Sequence, residues 1–240
     1  MLEASQPWSC RQAAKVLGVS RHTIHRWRHL IIGALPAEPD RRLAGIIEAD
    51  EASQRESRKG SREWVRHERD PGSHPRPPRQ RWSYYERRRR FRVKPPGGWK
   101  RWQRPLLAAT DRSAHRLVEA IPDASTPAIA AALLPAMAPD AILCTDGHPS
   151  YERLAKDQGI AHRALVSGER SKHTPRAYHI NTVNGLIGRF RDFMRPFRGP
   201  STRYLGAYGR WFAARDNADR NYAAVFRQFV DTQPLANTLR

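Results

Sequence analysis

The fold class of this chain is decided by residues 141–166, AILCTDGHPSYERLAKDQGIAHRALV. A short apolar run at 141–145 predicts a buried strand, and Pro149 is suited to the first turn of a helix that extends to about Gln158. Residues 160–166 again have the composition of a strand. Strand, helix and strand in succession predict a layered α/β domain in which these two strands run parallel.

The segments on either side extend the same domain. Apolar runs at 43–49, in RPLLAATDR at 104–112 and in AHRLVEAIP at 114–122 predict three earlier strands, which we expect to pair antiparallel. Residues 125–137 predict an alanine-rich helix with Pro127 near its start. Residues 181–197 and 202–229 carry apolar side chains at helical spacing, which predicts helices that cover the sheet.

Three oxygen-bearing side chains stand out against this background: Asp50 in GIIEADE, Asp146 in ILCTDGHPSY and Asn184 in HINTVNGL. Each aspartate directly follows a strand-like run, where an ionised carboxylate has to be hydrogen-bonded, paired or bound to a metal. Asn184 lies opposite the apolar face of its helix. Two carboxylates and an amide oxygen are suited to hold two divalent cations roughly 3.5 to 4 Å apart for phosphodiester chemistry. The alternative is structural, with the aspartates in loops and Asn184 as a helix cap.

The segments EADE, TDGHPSYERL and YHINTVNGLIGRF resemble the three catalytic blocks of bacterial insertion-sequence transposases of the DDE superfamily. The resemblance extends from residue 43 onward and implies an RNase H-like mixed sheet flanked by helices. Asp50 and Asp146 match the family's two aspartates. Asn184 matches the third position, which is commonly Glu and is Asn in one subgroup.

The same resemblance implies an activity and its cofactors. The implied reaction cuts DNA at the ends of an insertion sequence and joins the 3' ends to target DNA, with two Mg²⁺ ions, or Mn²⁺ in their place, held by Asp50, Asp146 and Asn184. Because two ends must be brought together, it also implies a homodimer or a larger assembly on DNA.

A helix-turn-helix pattern occupies CRQAAKVLGVSRHTIHRWRH at 10–29. Gly18 suits the turn, Ser20 suits the N-cap of the second helix, and Ile24 and Trp27 are predicted to pack it. The exposed face of that helix is expected to enter the major groove of DNA through Arg21, His22, His25, Arg26 and Arg28. The alternative is a helix pair that does not contact DNA.

The charge balance indicates a polyanionic partner. A formal net charge of +20 and a pI near 11.2 are unusual for an enzyme of small metabolites and favour double-stranded DNA, both terminal inverted repeats and target. Arg191 and Arg195 follow Asn184 on the same helix face and are expected to guide the DNA backbone. The two cysteines provide neither a disulfide framework nor a zinc ribbon. The lack of a signal peptide or a long apolar segment predicts a cytoplasmic protein without a membrane partner.

We therefore predict four regions: a helix-turn-helix module at 1–36, the start of the catalytic core at 37–51, a basic insertion loop at 52–104 and the rest of the core at 105–240. The loop is rich in proline, arginine and aromatic residues, and we expect it to be irregular or to order only on DNA.

Two alternative functions remain open from the residues alone. One is a transposase remnant that only binds DNA, which Asn184 favours because an amide brings no negative charge to a metal site. The other is an RNase H-like nuclease acting in repair or on RNA. Smaller roles are open for Glu51, in reinforcing the metal charge, and for His148 and His179, as phosphate contacts or proton carriers or as loop-structuring residues.

Overall fold

The computed structural model of the chain describes residues 7–35, 42–76, 102–165 and 177–217. The local hairpin or helix that is one interpretation of 82–93, and the second of the two helices expected within 202–229, lie outside the described residues. None of the helices in the described ranges is long and apolar enough to cross a membrane.

The elements follow in chain order. They are α1 (Cys10–Leu17), α2 (Arg21–Gly33), β1 (Ile46–Arg55), α3 (Glu63–Arg69), β2 (Gln103–Asp111), β3 (Arg116–Ala120), α4 (Thr126–Leu133), β4 (Ile142–Thr145), α5 (Pro149–Gln158), β5 (Ala161–Ala164), α6 (Asn181–Met194) and α7 (Leu205–Asp216). Short 3-10 turns extend α4 and α6 and precede α7.

The helix pair at the N-terminus is defined by local hydrogen bonds. Ser9 and Gln12 form a capping box at the start of α1, and Gly18 ends that helix with a φ of 66°. The side chain of Ser20 accepts a hydrogen bond from the Thr23 amide and so caps α2. These contacts confirm the predicted helix-turn-helix geometry.

The sheet has the order β3-β2-β1-β4-β5. β1 pairs antiparallel with β2, and β2 with β3, whereas β4 runs parallel to both β1 and β5. This is the predicted α/β arrangement, a mixed sheet whose early strands are antiparallel and whose later strands are parallel. The central strand is therefore the one that carries Asp50.

The prediction that the first strand ends before Asp50 is wrong. β1 continues to Arg55 because its register with β2 extends from Ile47 opposite Asp111 to Arg55 opposite Gln103. Part of the expected loop at 52–104 is thus ordered: four residues belong to β1, two belong to β2, and Glu63–Arg69 forms α3. Backbone pairing with a strand about fifty residues later overrides the polar composition of this segment.

Two apolar clusters cover the two faces of the sheet. On one face Ala52, Leu106 and Ala108 pack against α6 and α7, and Ile32 from α2 joins this cluster. On the other face Ile47, Ala49 and Leu107 pack against α4 and α5. Because side chains alternate along a strand, Glu48 and Asp50 share the face of Ala52, whereas Glu51 shares the face of Ala49.

Candidate active site and nucleic-acid interface

Asp50 lies in the middle of β1, at the point where its parallel neighbour stops. β4 pairs with β1 only from Ile46 to Glu48, and Asp146 comes directly after the last residue of β4. The last pair in this register is Glu48 with Cys144. Asp50 and Asp146 each lie two residues beyond that pair along the chain. The parallel register brings the two aspartates to the same edge of the strand pair.

The electrostatics of Asp50 reflect this proximity. The pKa of Asp50 is raised overall. Burial is the largest cause and the charge of Asp146 adds to it, whereas the hydrogen bond from the Glu51 amide and the charge of Arg191 lower the pKa. The amide bond is 2.7 Å long, from Glu51 N to Asp50 Oδ1. A half-buried carboxylate beside a second carboxylate is a group whose charged form is stabilised by a cation.

Asp146 occupies the turn that connects β4 to α5. It is exposed, and its Oδ1 accepts a hydrogen bond of 2.9 Å from the His148 amide. Gly147 between them has a φ of 83°, a conformation that favours glycine. The Nδ1 of His148 accepts from the Ser150 amide and so caps α5. This contact supports a loop-structuring role for His148.

Asn184 lies in the first turn of α6 and is exposed. Gly188, Arg191 and Arg195 follow at helical spacing, and a Cβ added at Gly188 would meet open space. Helix α6 packs on the sheet face of Ala52, which is also the face of Asp50, and the charge of Arg191 lowers the pKa of Asp50. Arg195 is exposed and forms an ion pair of 2.9 Å with Asp192.

Glu48 is a component of the site that the sequence patterns do not single out. It is 1% exposed, on the same face of β1 as Asp50. Its Oε2 accepts hydrogen bonds from the amides of Thr182 at 2.8 Å and Val183 at 3.0 Å, the first turn of α6. Its Oε1 pairs with Arg112 and lies 3.1 Å from His179 Nδ1. The only sequence signal is a glutamate inside an apolar strand, which is expensive without partners.

Glu51 points to the opposite face of the sheet, toward α5. The pKa of Glu51 is raised overall. Burial is the largest cause and the charge of Asp50 also raises it, whereas the Tyr151 hydroxyl lowers it. Tyr151 is fully buried, and burial and the adjacent Glu51 raise its pKa. Because Glu51 and Asn184 belong to opposite faces, we do not assign Glu51 the metal-reinforcing role that its position in the motif indicates.

The donor set is suited to a hard divalent cation. Two carboxylates and one amide oxygen are ligand types that Mg²⁺ and Mn²⁺ prefer, and the charge of Asp146 acts on Asp50 as a repulsion that a cation would relieve. Within the described ranges no three His, Cys, Asp or Glu side chains group closely enough to hold a metal. The third candidate ligand is the amide of Asn184, so the candidate site carries one negative charge fewer than a three-acid site.

The expected recognition face of α2 is only partly correct. Arg21, His22, His25 and Arg26 are exposed, whereas Arg28 is 2% exposed. Arg28 donates to the carbonyl of Trp8, and its guanidinium lies 5.2 Å from the ring centre of Phe197 and 5.9 Å from that of Trp211.

Arg28 therefore faces the core, and the prediction that it lies on the exposed face of α2 is wrong. Trp27, expected to pack, is 46% exposed. Both differences accompany the packing of α2 on α7, a contact between distant elements that a local pattern cannot reveal.

A basic cleft of about 420 Å³ lies between α2 and the segment that leads into α7. Its basic lining residues are His25, Arg28, His29, Lys59 and Arg203, and no Asp or Glu is among the described residues that line it. The His29 ring stacks on Tyr204 with centres 3.7 Å apart. Burial, then the charges of His25, Arg28 and Arg203, lower the pKa of His29 to about 4. The cleft is thus suited to an anion.

Comparison with known proteins agrees with this architecture. Residues 2–34 match a homeodomain-like domain, and residues 42–217 match the ISXO2-like transposase domain. The helix pair and the mixed α/β core lie within these two matched ranges, which places the chain among transposases. The chain belongs to the ISXO2-like transposase domain family. A search among curated proteins gave no match.

Proposed function

We propose that this chain is a catalytically active transposase that cuts DNA at the ends of an insertion sequence and joins the 3' ends to target DNA. Asp50, Asp146 and Asn184 are the proposed ligands of two Mg²⁺ ions, for which Mn²⁺ can substitute. The observation that carries the proposal is the position of Asp50 and Asp146, each two residues beyond the last β1–β4 pair, where the charge of Asp146 contributes to the raised pKa of Asp50. A protein that only binds DNA has no need for two carboxylates at this edge of the strand pair.

The chain's own residues have distinct parts in this proposal. Asp50, half-buried on the central strand, is the rigid ligand, and Asp146 on the turn after β4 is the more exposed one. Asn184 contributes a neutral oxygen from the first turn of α6. When bound, the two cations would activate the attacking oxygen and stabilise the leaving oxygen of the phosphodiester. Arg191, which is exposed near Asp50, and Arg195 would orient the DNA backbone beside these ligands.

In this proposal the exposed side chains of α2 bind the DNA. The exposed residues Arg21, His22 and Arg26 would contact an inverted repeat. His25 is also exposed and lines the basic cleft. Two copies of the chain on paired ends are part of this proposal.

The test is cleavage of labelled DNA that carries the ends of the element, in Mg²⁺ or Mn²⁺. We expect nicking by the unaltered chain and none by Asp146→Asn. The matched control is Asp140→Asn, the same substitution at an exposed position before the opposite end of β4. Nicking that survives in Asp146→Asn, or that disappears equally in Asp140→Asn, would contradict the proposed site.

A transposase remnant that only binds DNA is the second candidate. It is favoured by one observation, that the described part of the chain holds no group of three metal-ligating acids, histidines or cysteines. It predicts that the chain binds its element ends without nicking them in either metal. It also predicts that Asn184→Glu, which supplies the third carboxylate, restores nicking.

A further inference from the structure

Helix α6, which carries Asn184, begins without a cap of its own. Its N-cap residue is Ile180, whose side chain has no hydrogen-bonding atom, and its first turn holds no acidic residue. The first amides of a helix have no partners within the helix, so they need acceptors from elsewhere. At most helix starts a Ser, Thr, Asp or Asn next to the first turn supplies one.

Glu48 supplies the missing acceptor from the central strand. One carboxylate oxygen accepts from the amides of Thr182 and Val183 at 2.8 and 3.0 Å. This arrangement also places a negative charge at the positive end of the α6 dipole. The contact joins residues 134 and 135 positions apart, so it fixes the start of α6 on β1 rather than merely closing a local turn.

The other oxygen of Glu48 connects the same point to the segment before α6. Arg112, just after β2, pairs with Glu48 and donates from Nη2 to the Ala177 carbonyl at 2.7 Å. His179 Nδ1 is 3.1 Å from Glu48, and its Nε2 is 3.0 Å from Arg112 Nη1. We call Glu48, Arg112 and His179 the bracket. It joins β1, the end of β2 and the approach to α6.

The bracket spans the two elements on which the proposed metal ligands lie. Glu48 and Asp50 are on one face of β1, two residues and therefore about 7 Å apart. Thr182 and Val183, bonded to Glu48, immediately precede Asn184. The distance between Asp50 and Asn184 thus depends on the bracket. A neutral amide binds a cation through its dipole alone, so its affinity depends strongly on correct placement.

We propose that Glu48 is a positioning residue that holds Asn184 at the metal site through the bracket. The inference rests on the proposed function, since it assumes that Asn184 is a ligand. An ordinary buried ion pair would stabilise the fold without altering the metal affinity of the folded protein. Metal binding by folded variants therefore separates the two roles.

The experiment titrates the full chain with Mn²⁺ and measures free Mn²⁺ by electron paramagnetic resonance, with circular dichroism to verify folding. We expect Glu48→Gln to lower Mn²⁺ affinity by about tenfold, as is typical for residues that orient a metal ligand. In the Asn184→Ala background the same change should have no further effect. The matched control is Glu119→Gln, which removes a part-buried carboxylate paired with Arg210 at 3.0 Å elsewhere on the sheet. This control should leave Mn²⁺ affinity unchanged.

A second variant, Arg112→Gln, keeps the Glu48 cap but releases Ala177, and we expect a smaller fall in Mn²⁺ affinity that again disappears without Asn184. It decides the question if Glu48→Gln does not fold. Normal Mn²⁺ affinity in whichever of these two variants folds would overturn the positioning role. Asp50→Asn separates this failure from that of the proposed function. If Asp50→Asn abolishes Mn²⁺ binding while the bracket variants bind normally, only the positioning role is overturned, whereas undiminished binding in Asp50→Asn overturns both.

Discussion

Replacement of Arg28 by alanine should destabilise the protein rather than remove a DNA contact. The side chain is 2% exposed, donates to the Trp8 carbonyl and lies over the rings of Phe197 and Trp211. A hydrogen bond from a charged donor contributes about 1.5 to 3 kcal/mol, and each desolvated cation–π contact about 0.5 to 2 kcal/mol. The substitution also removes the cost of burying the charged guanidinium, which offsets part of this sum. We therefore expect the free energy of unfolding to fall by about 2 to 4 kcal/mol.

Urea unfolding followed by tryptophan fluorescence measures this change, and Arg26→Ala is the matched control. Arg26 is exposed on the same helix, so its removal should change the free energy of unfolding by less than about 0.5 kcal/mol. Binding to element-end DNA, measured well below the unfolding midpoint, should respond in the opposite way. It should weaken in Arg26→Ala and stay near normal in folded Arg28→Ala. A stable Arg28→Ala protein with weakened DNA binding would refute the reasoning and return Arg28 to the recognition face.

Three further outcomes are expected. Asn184→Glu should lower the Mg²⁺ concentration for half-maximal DNA nicking on the order of tenfold, because it adds a charged ligand, whereas Asn181→Glu, an exposed change one turn earlier, should not. Since the pKa of His29 is about 4 in the folded protein against 6.5 for a free histidine, protonation favours the unfolded chain. The urea midpoint should therefore decline as pH falls from 6.5 towards 4, and a His29→Phe variant that declines just as much would count against this. Lys59→Gln combined with Arg203→Gln should reduce the salt slope of DNA binding, measured by fluorescence anisotropy, by about one unit for each phosphate that these side chains neutralise. The exposed Arg153→Gln change should leave that slope intact.

Most of the fold can be predicted because its signals are local. Gly18 and Ser20 mark the turn of the helix pair through a positive φ and a side-chain cap within three residues. The apolar run before Asp146, followed by Pro149, marks β4 and α5. These features depend on residues only a few positions apart, so they can be recognised without knowledge of the tertiary structure.

Other features depend on elements that are distant along the chain. The apolar run before Asp50 predicts a strand end there, but pairing with β2 carries β1 on to Arg55. The helical pattern places Arg28 on the exposed face of its helix, but α2 packs on α7 and turns it inward.

The sequence by itself determined the element types outside 52–104, the helix-turn-helix module and the identity of Asp50, Asp146 and Asn184 as candidate ligands. Periodicity, caps and motif residues are all local properties, and the motifs are contiguous. Only the tertiary structure decided which face of the sheet Asp50 occupies and what holds the start of the Asn184 helix against that sheet. Glu48 illustrates the reason, because its partners Arg112 and Thr182 are 64 and 134 positions away. A carboxylate on a strand that caps a distant helix leaves no recognisable pattern in the sequence around the carboxylate or around the start of the helix.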